Sequence, residues 1–236
     1  MTIVAIHQPN FFPWLGFFDK IIRADRFVLL DHVQMPLTGS SYCNRVSILM
    51  GEKPGFMQIP VTRGSEARTT ISGAPIASPP KGREKLLRTV QQSYAKAPFS
   101  REVLPVIETL ILNPASTIGA YNEQGIRVIS ERLGVARSKL ISSSDLTTNG
   151  TSTALLIAIV KAIGGDTYMA GGGAAGYQED VMFSAAGVKL IYQNFRHPIY
   201  PQHGQDEFVP GLSIIDALMN LGFDGTAAML HSLPQA

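Results

Sequence analysis

The stretch VAIHQPNFFPWLGF, residues 4–17, decides the predicted fold. The apolar run Ile3–Ile6 ends abruptly at His7, two prolines and the only tryptophan follow, and helical spacing of apolar residues starts at Leu15. A buried strand that leads through a proline-stiffened turn into a helix is where α/β proteins place ligand sites. We therefore predict a strand–turn–helix unit with a candidate site at its turn. The alternative is that Trp14 anchors the core and His7 is a satisfied polar group at a strand end.

Composition limits the classes of protein to which the chain can belong. Its 236 residues are enough for one large domain, and a hydrophobic content of 45% fits a substantial core. The formal net charge is +2 and like charges form no long block. We therefore expect neither genomic nucleic acid nor a membrane surface as a partner. The single cysteine, Cys43, excludes an internal disulfide and a cysteine-based zinc site.

Hydropathy along the chain predicts where the protein resides. The first residues have the character of a strand and not of a secretory signal peptide. The longest apolar stretch, Leu155–Ile163, contains a lysine and is too short to cross a bilayer. We expect a cytoplasmic protein without membrane insertion.

The N-terminal part of the chain has the order of a parallel strand–helix–strand unit. Strands are predicted at Ile3–Ile6 and Arg26–Asp31, and a helix over Leu15–Ala24 joins them. Two further strands, Arg45–Leu49 and Met57–Val61, are predicted as a hairpin or as an extension of the sheet.

The rest of the chain predicts a helical excursion and then a return to α/β order. After a loop at 63–82, the predicted helices are Lys85–Tyr94, Arg101–Leu112, Thr117–Leu133 and Thr151–Ile163. Strands follow at Thr167–Ala170 and Val188–Gln193, and a final helix at Ser213–Leu221. We predict one α/β domain over 1–236, with a core unit at 1–62, helices at 83–163 and the return to the core at 166–236.

Polar side chains follow the first two predicted strands. His7 and Asp31 stand at strand ends that a parallel unit brings to the same edge of its sheet. His7 is a candidate general base or acid, and Asp31 is its candidate partner or a hydroxyl acceptor. Gln8 adds a carboxamide that can orient a substrate. Lys20 is a candidate anchor for an anion, with a solvated surface lysine as the alternative.

Further polar residues are candidates for substrate binding. Arg45 offers a planar fork for a carboxylate or phosphate, and Gln34 and Asn44 lie near it in the sequence. Hydroxyl and N–H groups at Ser142 and Ser143 can bind an anion, although a serine-rich linker explains them equally well.

A glycine-rich run, Gly171–Gly176, follows the strand predicted at Thr167–Ala170. Backbone at Gly171 and Gly172 can approach a ligand closely because no side chain intervenes. The run lacks the lysine of a phosphate-binding P-loop and the glycine spacing of a dinucleotide site, so it is a weak phosphate signal by itself.

A proline-stiffened loop carries the candidate substrate-binding residues His197, Tyr200 and Gln202. Two histidines six residues apart, His197 and His203, are compatible with a metal ion. No carboxylate spacing accompanies them, so we predict no metal site. The sequence leaves open whether this loop approaches His7 or lies on the far side of the protein.

The string from His7 to Lys20 resembles the signature of the WbqC-like family of bacterial proteins. The resemblance continues through Asp31, Gln34, Asn44, Arg45, Pro60, Val61, Tyr168, Gly171, Tyr177, Gln193, Pro198, Tyr200, Ser213–Asp216 and Asn220–Gly222. Family members are commonly encoded among genes for O-antigen, other surface glycans or specialised metabolites. The resemblance implies an enzyme that decorates a sugar or another small metabolite, and it makes Tyr168 and Tyr177 candidate substrate-binding residues. The chain departs from the family in lacking a tryptophan near Lys81–Lys85, where a substrate contact is expected.

The same opening is similar to that of nucleotidylyltransferase-like, or Rossmann-like, α/β proteins. In those proteins two histidines flank a variable residue and a glycine and stabilise charge on transferred phosphates. Here Trp14 and Phe17 occupy the two histidine places. The fold is expected to be shared, whereas that phosphate chemistry loses its donors.

These observations predict a small-molecule transferase that moves an acyl or aminoacyl group to an amine of a sugar-like or phosphorylated acceptor. His7 is its base or acid, Lys20 and Arg45 hold an anion, and Trp14 is a stacking wall. No cofactor is required, and the donor is nucleotide-linked, CoA-linked or tRNA-linked. A degenerate nucleotidyltransferase and a non-catalytic subunit that works with a partner enzyme are the alternatives. Oligomeric state stays open, and no motif for covalent catalysis occurs.

Overall fold

The computed structural model describes residues 1–36, 41–62, 69–77, 80–171 and 180–234. Its strands are β1 (Ile3–His7), β2 (Arg26–Leu29), β3 (Arg45–Met50), β4 (Lys53–Gln58), β5 (Leu140–Ser142), β6 (Thr167–Ala170) and β7 (Lys189–Tyr192). Its α-helices are α1 (Leu15–Arg23), α2 (Pro80–Tyr94), α3 (Ser100–Ile111), α4 (Ile118–Arg132), α5 (Ser152–Ala162), α6 (Asp180–Ala185) and α7 (Ile214–His231). In this part of the chain no helix is long and apolar enough to cross a membrane.

Five parallel strands form the central sheet, in the order β5-β2-β1-β6-β7. From β1 the chain adds strands on one side through β2 and β5, and then on the other side through β6 and β7. This is a doubly wound, Rossmann-like α/β fold, and it confirms the fold class predicted from the sequence. The strand order reverses between β1 and β6, whose registers align Ile3 with Thr167 and Ala5 with Met169.

The central strands are buried because apolar residues face both sides of the sheet. On one side, Ala5 and Phe27 join a large core with helices α1 to α4 and α7. On the other side, Val4 and Val28 join a smaller core with α5 and α6. Continuous apolar runs are typical of parallel strands that helices cover on both faces.

Several element predictions need correction. β5 is missing from the predicted elements and lies inside the segment predicted as helical, where it pairs with β2; at three residues it carries too little periodicity to detect. Helix α6 is also missing from them. The hairpin β3–β4 is a separate two-stranded sheet and no extension of the main one. Its second strand begins at Lys53 because Gly51, with φ +69°, allows a turn of only two residues. The single-domain assignment stays a prediction.

Candidate functional site

The strand order places a cavity at its point of reversal, above the carboxyl ends of β1 and β6. In doubly wound sheets this is the position where ligands bind. The cavity has a volume of about 570 Å³. We call it the switch-point cavity, and its lining residues are His7, Trp14, Gly16, Phe17, Lys20, Gly171, Gln193, Asn194, Phe195 and Arg196.

The turn that follows β1 is held by the start of the last helix. The Ser213 hydroxyl donates to the Phe12 carbonyl at 2.8 Å, and the Ile214 N–H donates to the Pro13 carbonyl at 2.8 Å. Phe12 has φ +41°, a backbone conformation that is unfavourable for a side chain of this size. These contacts from a distant part of the sequence keep the turn in place.

His7 ends β1 and turns its ring toward the switch-point cavity. Its Nδ1 donates to the Gln8 carbonyl at 2.9 Å, so in the neutral ring Nε2 is the acceptor. The ring packs edge-on against Phe17 at a centroid distance of 5.0 Å. Burial, with a smaller effect from the Lys20 charge, lowers the pKa of His7 to about 4, against the opposing effect of the Gln8 bond. The imidazole is therefore neutral at pH 7 and carries a lone pair on Nε2.

Lys20 brings a buried cation to the same cavity. Only 3% of the residue is exposed, and its Nζ donates to the Ile6 carbonyl at 3.1 Å. Burial lowers the pKa of this amine to about 8. In the described part of the chain no carboxylate pairs with it. A buried charge without a counter-ion is costly, so the arrangement suits a ligand that brings the negative charge.

A polar network ties helix α1 to the end of β7. Gln193 donates to the Gly16 carbonyl at 2.7 Å and to the Asp19 carboxylate at 2.6 Å. Arg23 lies 3.6 Å from that carboxylate and donates to the Gln193 carbonyl at 2.5 Å. Burial raises the pKa of Asp19, although the bonds from Gln193 and Arg23 act against it. The network fixes one wall of the switch-point cavity.

Trp14 lies across the first turn of α1. A Cβ at Gly16 would come within 2.4 Å of the indole, so glycine is what allows the ring to lie there. The indole contacts the rings of Phe195 and His197, both at 5.1 Å. The loop that carries His197 therefore packs against Trp14, although His197 is not among the residues that line the switch-point cavity with His7.

The sequence of this chain is similar to that of known proteins over most of its length. Residues 8–228 match the WbqC-like protein family. The chain belongs to that family. Among curated proteins it is 25% identical, over 230 residues, to the uncharacterized protein Rv1507c of Mycobacterium tuberculosis (strain ATCC 25618 / H37Rv), an alignment that covers 94% of this chain and 95% of that protein. No solved structure matches the chain.

In this WbqC-like protein the Asp31 carboxylate forms hydrogen bonds with the turn that follows β5. Its Oδ1 accepts from the Ser143 hydroxyl at 2.8 Å and from the Ser144 N–H at 2.9 Å. No hydrogen bond joins it to His7 among the described residues, so the predicted pairing is corrected. Ser142, whose hydroxyl donates to Glu123 at 2.6 Å, is equally engaged. The Asp31 bonds connect the end of β2 to the turn after β5, and the Ser142 bond connects the end of β5 to α4.

Residues between β2 and β4 also lie outside the switch-point cavity. Asn44 donates to the Ile59 carbonyl at 3.2 Å. Gln34 is exposed and forms an isolated bridge with Thr70. The Gln8 carboxamide accepts a long bond of 3.7 Å from the Cys43 thiol.

Three predicted substrate-binding residues have structural contacts instead. The Tyr168 ring stacks on Phe183 at 5.2 Å in the smaller core. The Tyr200 hydroxyl and the Gln202 amide donate to the buried Asp216 carboxylate at 2.7 and 2.9 Å. Burial raises the pKa of Asp216 against these bonds.

Of the remaining predicted residues, some belong to the described part of the chain and others do not. Gly171 lines the switch-point cavity, whereas Gly172 and Tyr177 lie outside the described residues. Asn194, Phe195 and Arg196 line the cavity and were missed because a polar segment after a strand has no distinctive pattern. The sequence signal that could have identified them is their position, one to three residues after the predicted strand Val188–Gln193, where parallel strands end at the ligand-binding edge of a sheet. The described residues contain no group of three His, Cys, Asp or Glu side chains that can hold a metal ion.

Proposed function

We propose that this WbqC-like protein is a small-molecule transferase that moves an acyl or aminoacyl group to an amine of a sugar-like or phosphorylated acceptor. The observation that supports this best is the pairing of a neutral His7 ring with the buried, unpaired Lys20 amine in one cavity. A base and an anion anchor side by side are what an amine that carries a phosphate needs. A volume of about 570 Å³ is in the range of small-molecule sites.

The reaction assigns one task to each of the two groups. The amine nitrogen of the acceptor attacks the acyl carbon of the donor, so that a C–N bond forms and the bond from carbon to the leaving oxygen or sulfur breaks. Nε2 of His7 takes the proton of the attacking nitrogen and gives it to the leaving group. In the neutral ring the Nε2 lone pair is free to accept that proton, because Nδ1 donates to the Gln8 carbonyl. Lys20 and the exposed Arg196 hold the acceptor phosphate.

The setting of the reaction is proposed from family resemblance. Surface-glycan or specialised-metabolite biosynthesis supplies amino sugars and activated acyl groups of this kind. A partner enzyme of the same pathway would activate the acyl group. The donor of this acyl group is nucleotide-linked, CoA-linked or tRNA-linked.

The first test is a ligand screen by thermal shift and mass spectrometry. The panel contains inorganic phosphate, amino-sugar phosphates, nucleotide sugars, acyl-CoAs, aminoacyl donors, and ATP with Mg²⁺. A ligand at about 100 times its Kd stabilises the protein by about 2.7 kcal/mol. We expect an amino-sugar phosphate to bind and, with an acyl donor, to yield an amide product.

His7→Gln is the decisive variant, and His203→Gln is its matched control, since His203 is exposed and lies outside the cavity. We expect His7→Gln to fold, to bind the acceptor and to lose about 10²- to 10⁴-fold in rate. Retention of more than a tenth of the rate removes His7 from the chemistry. Pyrophosphate release from ATP and Mg²⁺ alone favours a nucleotidyltransferase, and binding without turnover favours a non-catalytic subunit.

A further inference from the structure

A second cavity lies next to the first and shares the Trp14 indole as part of its wall. It has a volume of about 240 Å³. We call it the Arg45 cavity, and its lining residues are Asn10, Phe11, Pro13, Trp14, Tyr42, Arg45, Val46, His197 and Gly211. The proposed base and anion anchor, His7 and Lys20, are absent from its wall, so the reaction described above leaves it without a role.

The Arg45 guanidinium packs on an aromatic ring and has no hydrogen-bond partner among the described residues. It lies over the Phe56 ring, 4.1 Å from the ring centroid. In the described part of the chain, its side chain makes neither an ion pair nor a hydrogen bond. Stacking on one face leaves the N–H groups at the edge of the guanidinium free. A planar fork fixed in this way is suited to two parallel bonds with a carboxylate or phosphate.

The rest of the wall suits an apolar body. Phe11 and Val46 are buried, and the Trp14 and His197 rings, 5.1 Å apart, form an aromatic side. A volume of 240 Å³ accommodates one aromatic ring or a branched aliphatic chain and excludes a nucleotide. Shape and charge together select a small acid with an apolar body.

We propose that the Arg45 cavity is a second ligand site, which binds a small acid with an aromatic or branched aliphatic body. Its acidic group pairs with Arg45, and its body packs against Trp14 and Phe11. This ligand is not the activated acyl donor of the reaction proposed above, because its acidic group is free and pairs with Arg45, so the second site does not rest on the proposed function. Because the Trp14 indole borders both cavities, its fluorescence can report a ligand in either one.

Trp14 provides the readout because it is the only tryptophan of the chain and borders both cavities. The probes are phenylacetate, its uncharged isostere phenylacetamide, and inorganic phosphate. Each is titrated into the intact protein while tryptophan fluorescence is recorded, and calorimetry in parallel detects binding that leaves the fluorescence unchanged. We expect phenylacetate to saturate a site and phenylacetamide to bind about 10- to 100-fold more weakly.

Three variants and one control separate the two cavities. Arg45→Gln weakens phenylacetate binding about 10- to 100-fold and leaves phosphate binding unchanged. Lys20→Met has the opposite pattern. Arg137→Gln is the control, since that arginine is exposed and lines neither cavity, and it changes neither affinity. Arg45→Lys, which keeps the charge and loses the fork, weakens phenylacetate less than Arg45→Gln does.

The outcomes distinguish the second site from the proposed function. Equal affinity for the acid and its amide, no effect of Arg45→Gln, or competition between phosphate and phenylacetate each overturns the second site. If phosphate binds through Lys20 while phenylacetate produces no signal by either method, the second site is wrong and the transferase proposal stands. If phenylacetate binds through Arg45 while phosphate does not bind, the second site stands and the anion role of Lys20 is wrong.

Discussion

The buried amine of Lys20 lowers the stability of the folded protein and, in the proposed function, provides the charge that binds phosphate. Its charge is buried and has only the Ile6 carbonyl as a described partner, which costs the folded state free energy. We expect Lys20→Met to be as stable as the wild type, or up to about 2 kcal/mol more stable, because the removed desolvation cost exceeds one hydrogen bond. The same variant loses phosphate binding at least tenfold. Urea unfolding and phosphate titration of the same sample measure the two effects.

A marked loss of stability in Lys20→Met contradicts this expectation. It would mean that the bond from the Lys20 amine to the Ile6 carbonyl stabilises the packing of α1 on β1. Lys161→Met is the control for replacing a lysine, because Lys161 is exposed on α5. It is expected to alter neither stability nor phosphate binding appreciably.

His7 makes stability depend on pH in the acid range. Its pKa is about 4 in the folded protein and 6.5 in the unfolded chain, so between these values the unfolded state takes up the proton. The contribution is complete above pH 6.5 and is lost as the pH falls toward 4. We expect the wild type to lose about 1 to 2 kcal/mol more than His7→Gln between pH 7 and pH 4.5, since the ring is only partly buried. Urea unfolding at several pH values tests this, and parallel pH curves for the two proteins refute it.

At the scale of single residues, the string from His7 to Lys20 allows several residues of the switch-point cavity to be predicted from the sequence. His7, Trp14 and Lys20 share the switch-point cavity as their proximity to a strand end suggested. Asp31 was assigned to the same site on equally good local grounds. Its carboxylate is instead used by a turn more than a hundred residues later, which no local pattern can reveal.

Among the helices, two glycines have opposite structural roles. Gly222 kinks α7 with φ +71°, and a Cβ there would lie 2.7 Å from the Phe99 ring. Gly125 lies inside α4 with open space around its position. We expect Gly222→Ala to destabilise the protein by about 1 to 3 kcal/mol, because it adds backbone strain and a clash. Gly125→Ala should stabilise it by about 0.5 to 1 kcal/mol. Thermal unfolding of the pair measures both, and equal effects contradict the kink.

Elements with strong periodicity were predicted well, and short ones were not. β1, α1 and β6 follow from apolar runs and helical spacing. The three-residue β5 is defined by its pairing with β2, and that pairing is a property of the assembled sheet. The length of α7 was underestimated because Gly222 looks like a helix terminus, whereas the chain resumes its helix beyond the kink.

In the whole molecule, the middle of the sheet joins distant parts of the chain. Ile3 is aligned with Thr167, so β1 acquires its second neighbour only from the last third of the sequence. We expect a fragment of residues 1–165 to lack a cooperative unfolding transition, because it lacks β6, β7 and α7 and leaves β1 as an open edge of the sheet. Circular dichroism during urea unfolding of the fragment and of the full chain tests this. A sharp transition with native-like spectra in the fragment contradicts it.

The bond between Ser213 and Phe12 has a consequence in time. The two residues are 201 positions apart, and a ribosome adding about 5 to 20 residues per second needs about 10 to 40 s to cover that distance. Until then the aromatic opening of the chain, Phe11–Phe18, has been synthesised without the helix that covers it. During each round of translation this aromatic segment is therefore made well before the helix that covers it.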